Sequence, residues 1–238
     1  ESTDKTKQII LDIQKKDSRF KYLSSINGNN NLKYKKRALD LGIKEATYDC
    51  LLFTDVDCSI PPYWAQTMSG YFNKGYEYLV GHSFTRDSGK FNLVSNFQKL
   101  DLLLLMIMCR GSSYFSSPWA SSGQNQGFLK SLYVRVGGFM GVTKFYGDDT
   151  AFLQLCKKKG VRCCFVDDYK ARILSREENK LSHFISQRVR WAFDANQMWR
   201  INIIFYITLL ITFIFYLTTP IILLSLIYQY KTLILLLL

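Results

Sequence analysis

From residue 201 to residue 230 the chain carries no charged side chain. As a helix this run would reach about 45 Å, against a bilayer hydrocarbon core of about 30 Å. It is therefore predicted to cross a membrane once with length to spare, and Pro220 is predicted to kink or divide it. The alternative, a fully buried core helix, is disfavoured at this length. Trp199 and Arg200 flank one end, and Tyr228, Tyr230 and Lys231 flank the other. Arg188, Arg190 and Arg200 make the N-terminal side the more basic, which predicts a cytoplasmic location for what precedes the span. Residues 231–238 read as the start of a second membrane segment. The chain opens on Glu1 rather than Met and stops inside an apolar run, so it reads as a piece of a longer protein.

The residues before the run have an ordinary soluble composition, enough for one globular domain over residues 1–198. The chain holds 31 Lys and Arg against 19 Asp and Glu, a net charge of +12. Such a balance suits an anionic membrane face, a phosphorylated small molecule or nucleic acid, and does not choose among them. The six cysteines form no CxxC pair and only two histidines stand beside them, so a zinc site is not indicated. Reduced, mostly buried thiols are expected.

Periodicity predicts helices over residues 5–16, 35–47, 63–72, 150–159 and 180–196, and a loop over 27–31. A buried strand is predicted at 51–53, ending at Thr54-Asp55-Val56-Asp57, with further strands at 77–84 and 162–166. Residues 96–108 hold an apolar run too short for a bilayer and are predicted to form a buried helix. Residues 112–126 read as a loop, and 129–136 as a short helix or strand. Alternating strands and helices define an α/β domain.

Three groups of residues have chemical potential. Asp55 and Asp57, at i and i+2 on an extended backbone, would point to one side and offer hard oxygens to Mg2+ or Mn2+. Equally, they are solvated turn aspartates. A calcium loop is excluded, because Ile60 and Gln66 stand where it needs glycine and glutamate. Asp148 and Asp149 precede a helix, where they act either as favourable charges at its N-terminus or as a general base. Tyr146-Gly147-Asp148-Asp149 also resembles the palm of template-dependent RNA polymerases, but no other polymerase feature accompanies it, and no nucleic-acid partner is expected. Gln187, Arg190 and Trp191 share one helical face, fit either to grip phosphate and stack on a sugar or simply to flank a membrane span.

Taken in order, these segments resemble the inverting glycosyltransferases of family 2. Ser2-Thr3-Asp4-Lys5-Thr6 is similar to the end of the family's DDxSxDxT segment. Lys35-Lys36-Arg37-Ala38-Leu39 with Gly42-Ile43 is similar to its GKxxAL segment, Tyr34 replacing the glycine. Phe53-Thr54-Asp55-Val56-Asp57 resembles the DxD motif. Gly123 to Phe128 resembles the GxNxAF loop, and Val136-Gly137-Gly138-Phe139 its VGGF sequel. Gly147-Asp148-Asp149 stands at the ED or DD position, and Gln187-Arg188-Val189-Arg190-Trp191 fits Q(Q/R)xRW.

The resemblance implies a GT-A fold: a Rossmann-like, mixed and mainly parallel sheet flanked by helices, here without its first strand and helix, followed by a transmembrane helix. It implies sugar transfer from a nucleotide-diphosphate sugar, a UDP-sugar being the expected type, to a glycan or lipid acceptor at the cytoplasmic membrane face. Asp149 would be the catalytic base. Lys35, Asp55 and Arg190 would bind the donor, and Asp55 and Asp57 its Mg2+ or Mn2+. Asn125, Gln187 and Trp191 would serve the acceptor. Both processive polymer synthesis and single addition to a lipid fit. An aspartyl-nucleophile phosphatase using Asp55 and an inactive membrane scaffold are the competing readings. Every role requires the three acidic and basic groups to converge on one cleft.

Overall fold

The computed structural model describes residues 2–230 in full and the backbone of 231–237, so the second membrane segment expected at 231–238 lies outside the fully described residues. The chain divides into two compact units, Glu1–Arg190 and Trp191–Leu238.

In the first unit the elements run α1 (Thr6–Lys16), α2 (Lys35–Glu45), β1 (Cys50–Phe53), α3 (Trp64–Asn73), β2 (Tyr78–Gly81), β3 (Ser83–Thr85), α4 (Leu93–Phe115), β4 (Gln126–Leu129), α5 (Lys130–Val136), α6 (Asp149–Lys158), β5 (Cys163–Val166) and β6 (Ile173–Ser175). Helix α7 (Leu181–Gln197) runs past the boundary between the units, and α8 (Ile203–Leu237) follows in the second. Asp4 accepts the Thr6 N–H at 3.0 Å at the start of α1.

One four-stranded sheet has the order β1-β4-β2-β5. Strand β4 is antiparallel to both β1 and β2, whereas β2 and β5 are parallel. Thus β1, β2 and β5 share one direction, and β4 enters between them reversed. A second, two-stranded sheet pairs β3 with β6 in parallel. The architecture is the expected α/β with a mixed sheet.

Alternation along β2 separates two cores. Leu79 joins Met68, Phe72, Val166 and Ile173 on one face. Tyr78 stacks on Phe128 on the other, where Phe128 also meets Phe152. Edge-to-face and offset contacts of this kind add to the burial energy of the rings.

Several expectations change. The strand expected at 77–84 breaks at His82 into β2 and β3, which belong to different sheets. Strand β1 is half-buried rather than buried, because it lies at a sheet edge. Helix α4 is longer than its apolar run, and it is not buried all round. Leu102, Met106 and Cys109 face inward, whereas Leu103 and Ile107 are exposed. The loop expected over 112–126 is shortened at both ends, by α4 running to Phe115 and by the unexpected strand β4 from Gln126, and the element expected over 129–136 is helix α5. All six cysteines are free, and Cys109, Cys156, Cys163 and Cys164 are buried.

In the second unit α8 continues through Pro220 as one unbroken helix, so the proline does not divide it. Its stretch Ile203–Tyr230 is long and apolar enough to cross a membrane. Phe205 near its start is buried, but its most apolar 18-residue stretch is not buried within the protein, which separates it from a core helix of the same composition.

Candidate active site

The sheet order fixes where the site forms. Phe53, the last residue of β1, pairs with Gln126, the first of β4. Val80 of β2 pairs with the same Gln126, and Gly81 lies beside Val166. The carboxyl ends of β1, β2 and β5 and the loop entering β4 therefore share one edge. In open α/β sheets that edge is where ligands bind.

On this edge Lys35, the first residue of α2, places its Nζ 2.7 Å from Asp55 Oδ1. Burial acts to lower the Lys35 pKa, but the carboxylates of Asp148, Asp55 and Asp149 more than offset it and hold the ammonium above its ordinary value. A Cβ placed on Gly123 would lie 3.0 Å from Lys35 Nζ, 3.6 Å from Asp149 Oδ2 and 3.9 Å from Asp148 Oδ2. One lysine thus faces three carboxylates, and the glycine leaves the space between them open.

Asp149 is anchored by backbone donors. Its Oδ2 accepts the Gly123 N–H at 2.8 Å and its Oδ1 accepts the Thr150 N–H at 2.6 Å. Burial raises its pKa, while those two N–H groups and Lys35 pull it down less strongly. Asp148, only 6% exposed, has its pKa raised to about 6, first by burial and then by Asp149. Its Oδ2 is buried without a hydrogen-bond partner. A cavity of about 220 Å³ opens here, lined by Lys35, Phe53, Thr54, Gly123, Gln126 and Asp148.

A residue that the sequence reading did not single out secures this arrangement. Lys36 is 2% exposed and donates from Nζ to the carbonyls of Val142, Phe145 and Gly147. It ties the approach to Asp148 onto α2. The run Lys35-Lys36-Arg37 contained the signal, since three consecutive helical side chains cannot share one face.

Asp57 is exposed in the turn after β1 and does not share a strand face with Asp55. Alternation fails there because β1 ends at Phe53. Asn125 is wholly buried. Its Oδ1 accepts from Trp64 Nε1 at 2.9 Å, and its Nδ2 donates to the carbonyls of His82 and Ala171 at 2.9 and 2.8 Å. Its amide thus joins α3, the end of β2 and the approach to β6, where the sequence had suggested an acceptor-lining side chain. Arg190 lines a separate opening of about 560 Å³ with His183, Ile185, Ser186 and Val189. On the same helix Gln187 Oε1 accepts from Arg188 at 3.2 Å, and Arg188 pairs with Asp101 at 2.6 Å. Trp191 is the first residue of the second unit and is partly exposed. Asp55 and the Asp148-Asp149 pair, expected to converge, do so around Lys35.

Among the described residues no three His, Cys, Asp or Glu side chains form a metal-holding set. Mg2+ and Mn2+ do not require one, since one or two carboxylates and substrate phosphates commonly suffice. Asp55, with one oxygen engaged by Lys35, and the unpartnered Oδ2 of Asp148 fit such a hard-oxygen requirement.

No curated protein matches the chain. The family described as "Glycosyl transferase family 2" matches residues 1–146, a span that includes Lys35, Asp55, Asp57 and Asn125 and stops just before Asp148. With that match over more than half of its length, the chain belongs to glycosyl transferase family 2.

Proposed function

We propose that this glycosyltransferase carries a hexose from a UDP-type nucleotide-diphosphate sugar to a glycan or lipid acceptor, with inversion, at the cytoplasmic face of a membrane. Family membership carries the GT-A fold and sugar transfer in general. The observation that supports the finer reading most is the meeting of Lys35, Asp55, Asp148 and Asp149 at the carboxyl edge of the sheet.

In this reading the acceptor hydroxyl oxygen attacks the anomeric carbon. Asp149 takes the hydroxyl proton as the new glycosidic bond forms. The bond from that carbon to the β-phosphate oxygen breaks, and the nucleoside diphosphate leaves with the electron pair. A carboxylate with a raised pKa is better matched to proton removal near neutrality than an ordinary aspartate. Lys35 supplies fixed positive charge where the leaving group gains negative charge, the kind of preorganised stabilisation that lowers such barriers most. Asp55, with Asp57 or Asp148, would hold Mg2+ or Mn2+, which when bound neutralises diphosphate charge as a Lewis acid. The QRVRW motif supports placing the diphosphate near Arg190 and the acceptor near Gln187 and Trp191, and that part of the reading rests on the motif. The apolar stretch Ile203–Tyr230 supports a membrane setting.

Purified full chain in detergent, given Mn2+ and a panel of nucleotide sugars, tests the reading. Slow hydrolysis or transfer of one donor is expected, lost with chelator and in Asp55→Asn. Equal turnover of simple phosphate esters would replace it with the phosphatase, and inactivity towards every donor and ester would leave a scaffold.

A further inference from the structure

Tyr34 adopts φ 55° and ψ −141°. Apart from glycines, no other described residue has positive φ. Sterics reserve this region almost entirely for glycine. Glycine is also what the family pattern has immediately before Lys35. A tyrosine here strains the backbone, and the strain is not offset by burial, for Tyr34 is 72% exposed. Neither local propensity nor packing in the fold accounts for the ring. Residues kept in strained conformations by the surrounding structure cluster at ligand-binding positions.

The position of the ring identifies the partner. Its centroid lies 6.2 Å from that of Tyr146, with the planes tilted by 38°. Tyr146 is itself partly exposed. Tyr34 is bonded to Lys35, whose ammonium meets Asp55, and Tyr146 lies two residues before Asp148. Lys36 clamps the two segments together through the carbonyls of Val142, Phe145 and Gly147. Two aromatic rings in contact with each other thus sit on the segments that carry Lys35 and Asp148, the lysine–carboxylate cluster suited to a diphosphate.

We infer that Tyr34 and Tyr146 form a stacking lip for a ring attached to the donor diphosphate, either its nucleobase or its sugar, and so help set donor specificity. This rests on the reading of the cluster as the donor site. Flat aromatic faces bind bases by stacking, and they bind sugars through the apolar C–H face of the pyranose.

The test uses the full chain in detergent micelles and calorimetric titration with Mn2+ present. Ligands are UDP, GDP, CDP and dTDP, the glucose conjugate of whichever binds wild type best, and pyrophosphate. Tyr34→Phe should bind like wild type. Tyr34→Ala and Tyr34→Gly should each weaken binding of the glucose conjugate about 5- to 100-fold, with or without the bare nucleotide, while leaving pyrophosphate unchanged. The glycine variant should melt at a higher temperature than the alanine variant, because it alone releases the strained backbone. Loss of nucleotide and conjugate affinity by the same factor identifies the base, and loss confined to the conjugate identifies the sugar. Wild-type affinity for every ligand in Tyr34→Gly, or equal weakening of pyrophosphate, overturns the proposal. Failure of wild type to bind any of these ligands overturns the donor-site reading itself and the lip with it.

Discussion

Lys35 Nζ lies 2.7 Å from Asp55 Oδ1, and this single contact joins the start of α2 to the tip of β1. The Lys35 side chain is 46% exposed and that of Asp55 35%, so the pair itself contributes little to stability, on the order of 1 kcal/mol or less. Its importance is electrostatic: one cation among three carboxylates. Lys35→Met should therefore leave the melting temperature within a few degrees of wild type while raising the donor dissociation constant at least tenfold. Titration with nucleoside diphosphate beside thermal unfolding checks both halves.

Asp149→Asn should lower turnover by about 10²- to 10⁴-fold, the usual worth of a positioned proton acceptor. Donor affinity should change far less, since Asp149 is assigned to the acceptor's proton. A Kd against kcat comparison checks this, and a large rise in donor Kd with turnover intact would reassign the residue.

Asp148 makes folding stability depend on pH. Its carboxyl titrates near 6 in the fold, raised by burial and by Asp149, against 3.8 in the unfolded chain. Between those values the folded state binds more protons than the unfolded state, so stability falls as pH rises from about 4 to 6. The full loss is on the order of 3 kcal/mol. Asp148→Asn should flatten this slope and be the more stable form at pH 7. Denaturant unfolding across pH 4–7 measures it.

Asn125 satisfies three buried partners at once, so Asn125→Leu should strand the Trp64 N–H and the carbonyls of His82 and Ala171. A cost of about 2–4 kcal/mol is expected from those unpaired groups. Gly81→Ala should act on the same network, because an added Cβ overlaps the Asn125 amide. At a permissive temperature, acceptor KM should stay near its wild-type value for the folded fraction, a result that a direct acceptor contact would not give.

Much of this was legible in the one-dimensional pattern. Helices α1, α2, α3, α6 and α7 follow from apolar spacing, and β5 from a short apolar run between turn signals. The apolar stretch of α8 is set by composition alone, because bilayer thickness imposes a length that no packing partner alters. Strand β4 was hidden in a loop-like motif, and the break at His82 was invisible, since both depend on which neighbour accepts the backbone hydrogen bonds.

The sequence by itself determined the family, the sugar-transfer chemistry that comes with it and the apolar helix, because these depend on local composition and on residue order. Only the tertiary structure decided that Asp55 meets Asp148 and Asp149 through Lys35, that Asp57 lies in an exposed turn, that Asn125 is saturated and that Tyr34 is strained. The physical reason is that a side chain's partner is fixed by strand order and register. The reversed entry of β4 between β1 and β2 brings the Gly123 loop to Asp149 and the end of β1, and no periodicity along the chain encodes that neighbour.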